Sequence, residues 1–256
     1  MKILVCFKIV PDEQEISIKS DKTLDVSRAS FVISTYDCNA IEAAMRCAAA
    51  AENSSVVALT AGGERVENSK MKKGALSRGP EALFAVKDEA LDPADSIGGA
   101  SALKAGIEKI GGVDLVICGE GSGDMYNQQI GNVLGALMGV PAVNAVSGII
   151  PGDGSVVVER AVEDGVEVLE LALPAVLSVA SDICPVRIPS MKDILGAGKK
   201  PSAIFALDEL GGKVDGKIDT VSILAPQDTE RKRIVVKGDG DDQLAEFYAN
   251  IRQAIS

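Results

Sequence analysis

Three glycines at alternate positions, Gly119, Gly121 and Gly123, stand where this chain is best suited to chemistry. They follow a short apolar run, 113–118, which is typical of a strand buried on both faces. Apolar residues then recur at three- and four-residue spacing and predict a helix that ends before Pro141: Met125, Ile130, Val133, Leu134, Leu137 and Met138. Glycines let backbone N–H groups approach a ligand, and a helix start attracts phosphate. The pattern predicts a phosphate-binding loop; the alternative is an ordinary strand-to-helix turn capped by Asp124.

The composition argues against an enzyme that acts alone. The chain has no His and no Trp. Because histidine is the usual general base near pH 7, acid–base hydrolysis would need a carboxylate, Lys or Cys with a perturbed pKa. No Walker-type lysine follows the glycines, which argues against a nucleotide-dependent hydrolase or ligase.

Charge and hydropathy limit the partners and the compartment. The net charge of −11 argues against nucleic acid or an anionic membrane surface as partner. No apolar run approaches the roughly 18 residues of a membrane span, so we expect no membrane insertion. The opening MKILVCFKIV resembles a secretory signal, but PDEQE follows without a cleavage site, which favours a first strand. The five cysteines lack metal-type spacing and are expected to be reduced thiols in the cytoplasm.

Strand and helix patterns alternate along the first part of the chain. Strands are predicted at 3–10, 56–60, 82–86 and 113–118, and helices at 37–51, 64–77, 94–110 and after the three glycines. This alternation predicts an α/β fold, a Rossmann-like doubly wound parallel sheet with helices on both faces. Ligands bind at the carboxyl ends of strands in such sheets. A site is therefore expected just after Ile9, Thr60 and Cys118.

The pattern changes after Val143. Segments 156–160 and 166–171 flank Glu163, Asp164 and Gly165, which predicts a β-hairpin, and a smaller surface hairpin is predicted at 15–24. An apolar strand at 173–179 follows, then a loop and short helix within 187–200. Lys199 and Lys200 are expected to complement the C-terminus of that short helix.

The last part of the sequence is predicted to form an extended arm. From residue 201 it is predicted to be extended and polar up to about Glu230. An amphipathic helix from Asp242 to Ile255 then places Leu244, Phe247, Ile251 and Ile255 on one side. We predict a nucleotide-binding α/β domain at 1–200 and a C-terminal arm and helix at 201–256 that pack on a partner chain. Docking of the last helix on its own domain is the alternative.

Several segments together resemble the beta (small) subunit of electron transfer flavoproteins, nearly from end to end. KILVCFKIVPD is similar to the family's first strand and Lys-x-Val-Pro-Asp turn, and YDCNAIEAAMR to its second block. CGEGSGDMYNQQIGNVLGALMGVPAV resembles the family's nucleotide loop and helix. The most specific match is the hairpin and strand VERAVEDGVEVLELALPAVLS, and IPSMKDILGAGKKP resembles the loop, helix and lysine cluster that follow. Within the family the chain most resembles the Fix-type proteins.

The resemblance implies a fold of adenine-nucleotide-binding type and a heterodimer with a larger alpha subunit. The redox FAD would lie mostly in the alpha subunit, against a face of the beta subunit. The beta subunit would hold AMP, or a second FAD in bifurcating members, in one pocket. Carried onto this chain, the pocket residues are Cys6, Ser34, Thr35, Tyr36, Asp37, Ala61, Gly119, Glu120, Gly121, Ser122, Gly123, Asp124, Met125, Tyr126, Asn127, Gln128, Gln129 and Ile130.

Met191 lies where the family has an apolar residue that anchors an acyl-CoA dehydrogenase. Methionine suits adaptable interfaces, although a single exposed Met is also commonly incidental. The chain departs from the family's usual residues at Cys6, Ser34, Met125, Tyr126 and Ala161.

The resemblance implies an electron carrier that, with its alpha subunit, shuttles electrons between (acyl-CoA) dehydrogenases and other redox partners. The alternative is the NADH-oxidising subunit of a flavin-based electron-bifurcating complex.

Overall fold

The computed structural model describes residues 1–214, 216–227 and 233–255. Over these ranges the strands are, in chain order, β1 (Lys2–Cys6), β2 (Ile9–Pro11), β3 (Ser17–Ile18), β4 (Leu24–Asp25), β5 (Phe31–Ile33), β6 (Ser55–Gly62), β7 (Ala82–Lys87), β8 (Leu115–Gly119), β9 (Ala142–Pro151), β10 (Ser155–Val162), β11 (Gly165–Ala172), β12 (Ala175–Val179) and β13 (Ser202–Ala206). The helices are α1 (Thr35–Ala50), α2 (Ser69–Leu76), α3 (Ser96–Ile110), α4 (Ile130–Met138), α5 (Met191–Ala197) and α6 (Asp241–Ile255). Within the described ranges, no helix has both the length and the apolar character that a membrane span requires.

A nine-stranded sheet forms the centre of the molecule, in the order β11-β10-β9-β12-β8-β1-β6-β7-β13. The strands from β9 to β13 in this order are parallel, whereas β10 and β11 add an antiparallel edge. Both predicted hairpins form, β3 with β4 and β10 with β11. The prediction of a doubly wound α/β fold is confirmed.

The sheet is buried because its strands send side chains alternately to two helix layers. On β1, Ile3 and Val5 join a core with α1, α2 and α5, whereas Leu4 and Cys6 join a second core with α3 and α4. A strand buried on both faces must be apolar at every position, which is why β1 and β8 read as continuous apolar runs.

The chain leaves β1 and β8 in opposite directions. From β1 it passes through α1 to β6 on one side, and from β8 through α4 to β9 on the other. The connections diverge above the carboxyl ends of two adjacent strands, which leaves a crevice between them. In open α/β sheets such a switch point is where ligands bind.

The first predicted strand, 3–10, is not one strand. β1 ends at Cys6, and β2 leaves the main sheet to pair with β5. Lys8 lies at the break, and its backbone N–H donates to the Asp37 carboxylate (2.7 Å). A charged residue cannot continue a strand that is buried on both faces, so the chain turns away here.

The sequence predicts that Lys200 complements the C-terminus of the short helix that precedes it. In the structure its side chain complements the end of α2 instead. Its Nζ donates to the carbonyl oxygens of Leu76 (2.8 Å), Gly79 (3.0 Å) and Pro80 (2.7 Å). Desolvation lowers the pKa of this ammonium group below its ordinary value. Lys200 thereby fixes the start of β13, whose carbonyl at Pro201 accepts from the Leu83 N–H (3.1 Å) at the start of β7.

The segment after residue 201 begins inside the main body. Ser202–Ala206 pairs in parallel with β7 and completes the sheet. The rest of the predicted extended segment to Glu230 runs into residues 228–232, which lie outside the described residues. The last helix forms as predicted, from Asp241, and Leu244, Phe247, Tyr248 and Ile251 along it are all exposed. The division of the chain at residue 200 stays a prediction.

Candidate functional site

Asp37 joins the ends of the two strands that diverge. Its Oδ2 accepts from the Lys8 N–H (2.7 Å) and its Oδ1 from the Gly119 N–H (3.3 Å), so the carboxylate bridges the segments that follow β1 and end β8. Asp37 lies in the first turn of α1 and is buried. A carboxylate is favourable there because it meets the positive end of the helix dipole.

Gly119 is needed for this bridge rather than for a ligand. A Cβ at this position would lie 2.7 Å from Asp37 Oδ1 and 2.8 Å from the carbonyl carbon of Tyr36. Its N–H is already bonded to Asp37. The phosphate-binding role predicted for the glycines therefore cannot include the Gly119 amide while the bridge is intact.

Burial raises the pKa of the Asp37 carboxyl to about 7, against the opposing effect of the two N–H donors and of Lys8. Ionisation of this carboxyl is therefore costlier in the folded protein than in the unfolded chain. A raised folded-state pKa means that its contribution to stability is complete below the unfolded value near 3.8 and is lost as pH rises through about 7.

Asp37→Asn should remove this pH dependence. We expect the free energy of unfolding of the wild type to fall relative to that of the variant between pH 5 and pH 7, by about 1.4 kcal/mol per pH unit at most, because Asn does not ionise. Chemical denaturation at several pH values measures the difference. Asp124→Asn is the control. The pKa of Asp124 is lowered in the folded protein, so the free energy of unfolding of the wild type should fall relative to that of this variant as pH decreases below 4. Parallel pH profiles for wild type and Asp37→Asn would contradict the assignment.

Cys6 and Cys118 lie side by side beneath the crevice, at the ends of β1 and β8. The hydrogen bond between the two thiols, together with burial, raises the pKa of Cys6 well above its ordinary value. Both side chains are buried, and all five cysteines of the chain are free thiols. Cys6 is thus a protonated, apolar floor for the crevice rather than a nucleophile.

The loop from 120 to 129 is tied to the rest of the site by polar contacts. Lys8 Nζ contacts Asp124 Oδ2 (2.7 Å), and the buried Ser34 hydroxyl accepts from the Gly123 N–H (3.3 Å). Partial burial opposes the ionisation of Asp124, but Lys8, the Ser122 hydroxyl and the Met125 N–H outweigh it and keep its pKa below the ordinary value. Ser34, which precedes α1, is therefore used to hold the loop instead of capping its own helix.

The predicted helix after the glycines begins later than the apolar spacing indicates. α4 starts at Ile130, and Met125 is 41% exposed in the loop. Tyr126 (φ +46°) and Gln128 (φ +56°) adopt left-handed backbone conformations, which no helix accommodates. Asp124 consequently does not cap α4, and that alternative is wrong. The Tyr126 ring packs against Tyr36, with ring centroids 5.0 Å apart.

The late start of α4 opens a cleft of about 360 Å³ between the first turns of α3 and α4. The N-cap residue of α4, Gln129, makes no side-chain cap hydrogen bond, and it lines this cleft together with Asn132 and Val133 of the first turn. Gln128, Gln129 and Asn132 supply amide groups from one wall and Ser96 a hydroxyl group from the other. An uncapped N-terminus beside neutral donors suits an anion.

The predicted pocket residues occupy three adjoining places at this edge of the sheet. Cys6, Ser34, Asp37 and Gly119 form the buried crevice. The loop carries Glu120, Gly121, Ser122, Gly123, Asp124, Met125, Tyr126 and Asn127, with Thr35 and Tyr36 on the adjacent start of α1. Gln128, Gln129 and Ile130 stand at the cleft and the start of α4. Ala61 lies apart from these three places, on β6 beside β7. That all of these residues form one nucleotide pocket stays a prediction.

Met191 belongs to another surface. It is the first residue of α5, which packs against α2, and it is 71% exposed. The neighbouring side chains of Ile188 and Leu195 are exposed as well.

The predicted site residues do not include Lys8 and Asp95. Lys8 falls inside the predicted strand 3–10, although a lone charge in an apolar run is a signal that the strand ends there. Asp95 falls inside the predicted helix 94–110, but α3 begins at Ser96, and Asp95 caps it by accepting from the Gly98 N–H (2.8 Å). Its further contacts, with residues 217 and 218, have no signal in the local sequence.

The fold and the crevice together define a class: doubly wound α/β proteins whose ligand site lies where two parallel strands diverge. Residues 22–210, more than half of the 256-residue chain, match the electron transfer flavoprotein domain. The chain belongs to the electron transfer flavoprotein family. It is therefore a flavin-associated protein of electron transport, in a family that works with partner subunits and flavoenzymes.

Proposed function

We propose that this chain is the beta (small) subunit of a Fix-type electron transfer flavoprotein. Paired with an alpha subunit, it passes electrons through FAD between dehydrogenases, acyl-CoA dehydrogenases among them, and other redox partners in the cytoplasm. The observation that carries this proposal is the crevice at the ends of β1 and β8, with the cleft at the start of α4, in a chain of this family.

The nucleotide proposed for this site is AMP or a second FAD. Its phosphate would lie at the uncapped start of α4, where backbone N–H groups would hold it, since none of the residues that line the cleft is basic. Gln128, Gln129 and Asn132 would donate to it or to a ribose. FAD, when bound, supplies the electron-carrying chemistry; the residues of this chain hold and orient the nucleotide.

Two exposed apolar surfaces support the proposal of two protein partners. The first is the stripe along α6, where Leu244, Phe247, Tyr248 and Ile251 recur at helical spacing and are all more than two-fifths exposed. We assign it to the alpha subunit. The second surface surrounds Met191, with Ile188 93% exposed, and we assign it to the acyl-CoA dehydrogenase or a similar flavoenzyme.

The test is to co-express the chain with an alpha subunit of the same family, purify the complex, denature it and identify the released nucleotides by chromatography. One FAD with AMP would support a single-flavin carrier. Two FAD would support the alternative, an NADH-oxidising bifurcating complex, and reduction of the bound flavin by NADH would then be measured. A chain that forms no complex and releases no nucleotide would overturn the proposal.

A further inference from the structure

Residues 216–225, called the strap below, cross the edge of the sheet at which the site lies. At one end, Asp95 Oδ2 accepts from the backbone N–H groups of Lys217 (2.6 Å) and Ile218 (3.0 Å). At the other end, Leu224 forms a β-bridge with Thr23, and the Ala225 N–H donates to the Lys22 carbonyl oxygen (2.8 Å). The strap thus connects the start of α3 to the hairpin of β3 and β4.

The first anchor stands in the wall of the cleft. Asp95 and Ile218 both line it, facing Gln128, Gln129 and Asn132. Val214, just before the strap, packs so closely on the first turn of α3 that a Cβ at Gly98 would lie 3.0 Å from Val214 Cγ1. A larger residue at position 98 would require the Val214 side chain to shift by a few tenths of an ångström.

Asp95 performs two tasks with its two oxygens. Oδ1 caps α3 through the Gly98 N–H, and Oδ2 holds the strap. These N–H donors lower the pKa of Asp95 below its ordinary value. They also compensate a negative charge that would otherwise face an anionic ligand across the cleft.

Between its anchors the strap has little to hold it. Five residues lie between Ile218 and Leu224, and the six backbone steps that join the two can span about 20 Å. Val221 is 97% exposed, and Ile223 and Leu224 are about half exposed. A segment whose apolar side chains between its anchors are this exposed opens at low cost compared with the core.

We propose that the strap is a gate over the nucleotide cleft and that Asp95 is the positioning residue that keeps it closed. This inference rests on the proposed nucleotide site. Because the strap precedes α6 in the sequence, we expect opening of the cleft to affect the position of the arm. Retention of the nucleotide and docking of the arm on the partner subunit are therefore coupled, each favouring the other.

Two variants open the gate from opposite ends. Asp95→Ser keeps an oxygen to cap α3 but has none to reach the strap. Ala225→Pro removes the N–H that bonds to Lys22. Asp12→Ser is the matched control, because Asp12 also caps a turn, at the Gln14 N–H (3.0 Å), and the structure gives it no contact with the described strap residues.

The experiment loads the full chain, in complex with its alpha subunit, with radiolabelled AMP or FAD and follows release into excess unlabelled nucleotide. We expect release about tenfold faster from Asp95→Ser and Ala225→Pro than from wild type and Asp12→Ser, at unchanged melting temperature. Hydrogen exchange should show the Lys217 and Ile218 amides protected by nucleotide in the wild type only. Equal release rates with these amides exchanging freely in Asp95→Ser would overturn the gate alone. A wild type that retains neither nucleotide would overturn the proposed site and the gate with it.

Discussion

Gly121→Val is expected to strip the nucleotide from the purified protein while leaving the fold intact. A Cβ at residue 121 would lie 2.3 and 2.6 Å from two ring carbons of Tyr126, so the ring must leave its place beside Tyr36. The backbone of Tyr126 is already in the left-handed region, as is that of Gln128. We expect the loop to be displaced as a whole, and with it Gln128 and Gln129 at the cleft.

The expected loss is at least tenfold in nucleotide affinity, because roughly 1.4 kcal/mol of lost interaction already gives that factor. Nucleotide content of the purified complex and isothermal titration measure it. Gly121→Ala should act in the same direction. Gly196→Ala is the control, since residue 196 lies on α5, outside the predicted pocket, and a Cβ there would meet nothing within 4 Å. Full nucleotide content in Gly121→Val would remove the loop from the pocket assignment.

Truncation after Pro226 is expected to abolish stable pairing with the alpha subunit. The cut removes α6 and spares the strap, so the sheet and the cleft remain. An apolar stripe that is exposed along four positions of a helix is stabilised when a partner surface buries it. Size-exclusion chromatography of the co-expressed subunits measures the pairing.

A point substitution tests the same surface without deleting chain. Phe247→Asp places a charge in the middle of the stripe and is expected to weaken pairing by about 2 kcal/mol or more, roughly 30-fold, as removal of a buried aromatic anchor does at interfaces. Ala249→Asp introduces the same residue on the opposite side of α6 and should leave pairing unchanged. If both variants pair like the wild type, α6 is not the interface.

These two predictions address different steps of the proposed function. Loss of nucleotide with intact pairing would separate the cleft from the interface. Loss of nucleotide on truncation after Pro226 would instead show that the arm and the cleft communicate, as the strap implies. The loop variants and the arm variants therefore also measure the coupling between nucleotide binding and subunit pairing, the first from the cleft and the second from the arm.

The sequence by itself determined the secondary structure that frames the site. Local residue patterns, each set by residues close in the sequence, indicate the strands and helices of a doubly wound sheet. These patterns are the apolar runs of β1 and β8, the apolar stripe of α1 and the alternation of β10 and β11. The glycines mark where a strand ends and a loop begins for the same reason. Even the exposed stripe of α6 can be read as spacing along one helix.

Only the tertiary structure decided how the site is assembled. Asp37 meets Gly119 across 82 residues, Lys8 pairs with Asp124, and Asp95 holds Lys217 across 122 residues. No local pattern encodes such contacts, because they arise when packing brings strand ends, helix starts and loops together. The same packing ended β1 at Cys6, before Lys8, and delayed α4 to Ile130, since burial and backbone conformation there outweigh the apolar period.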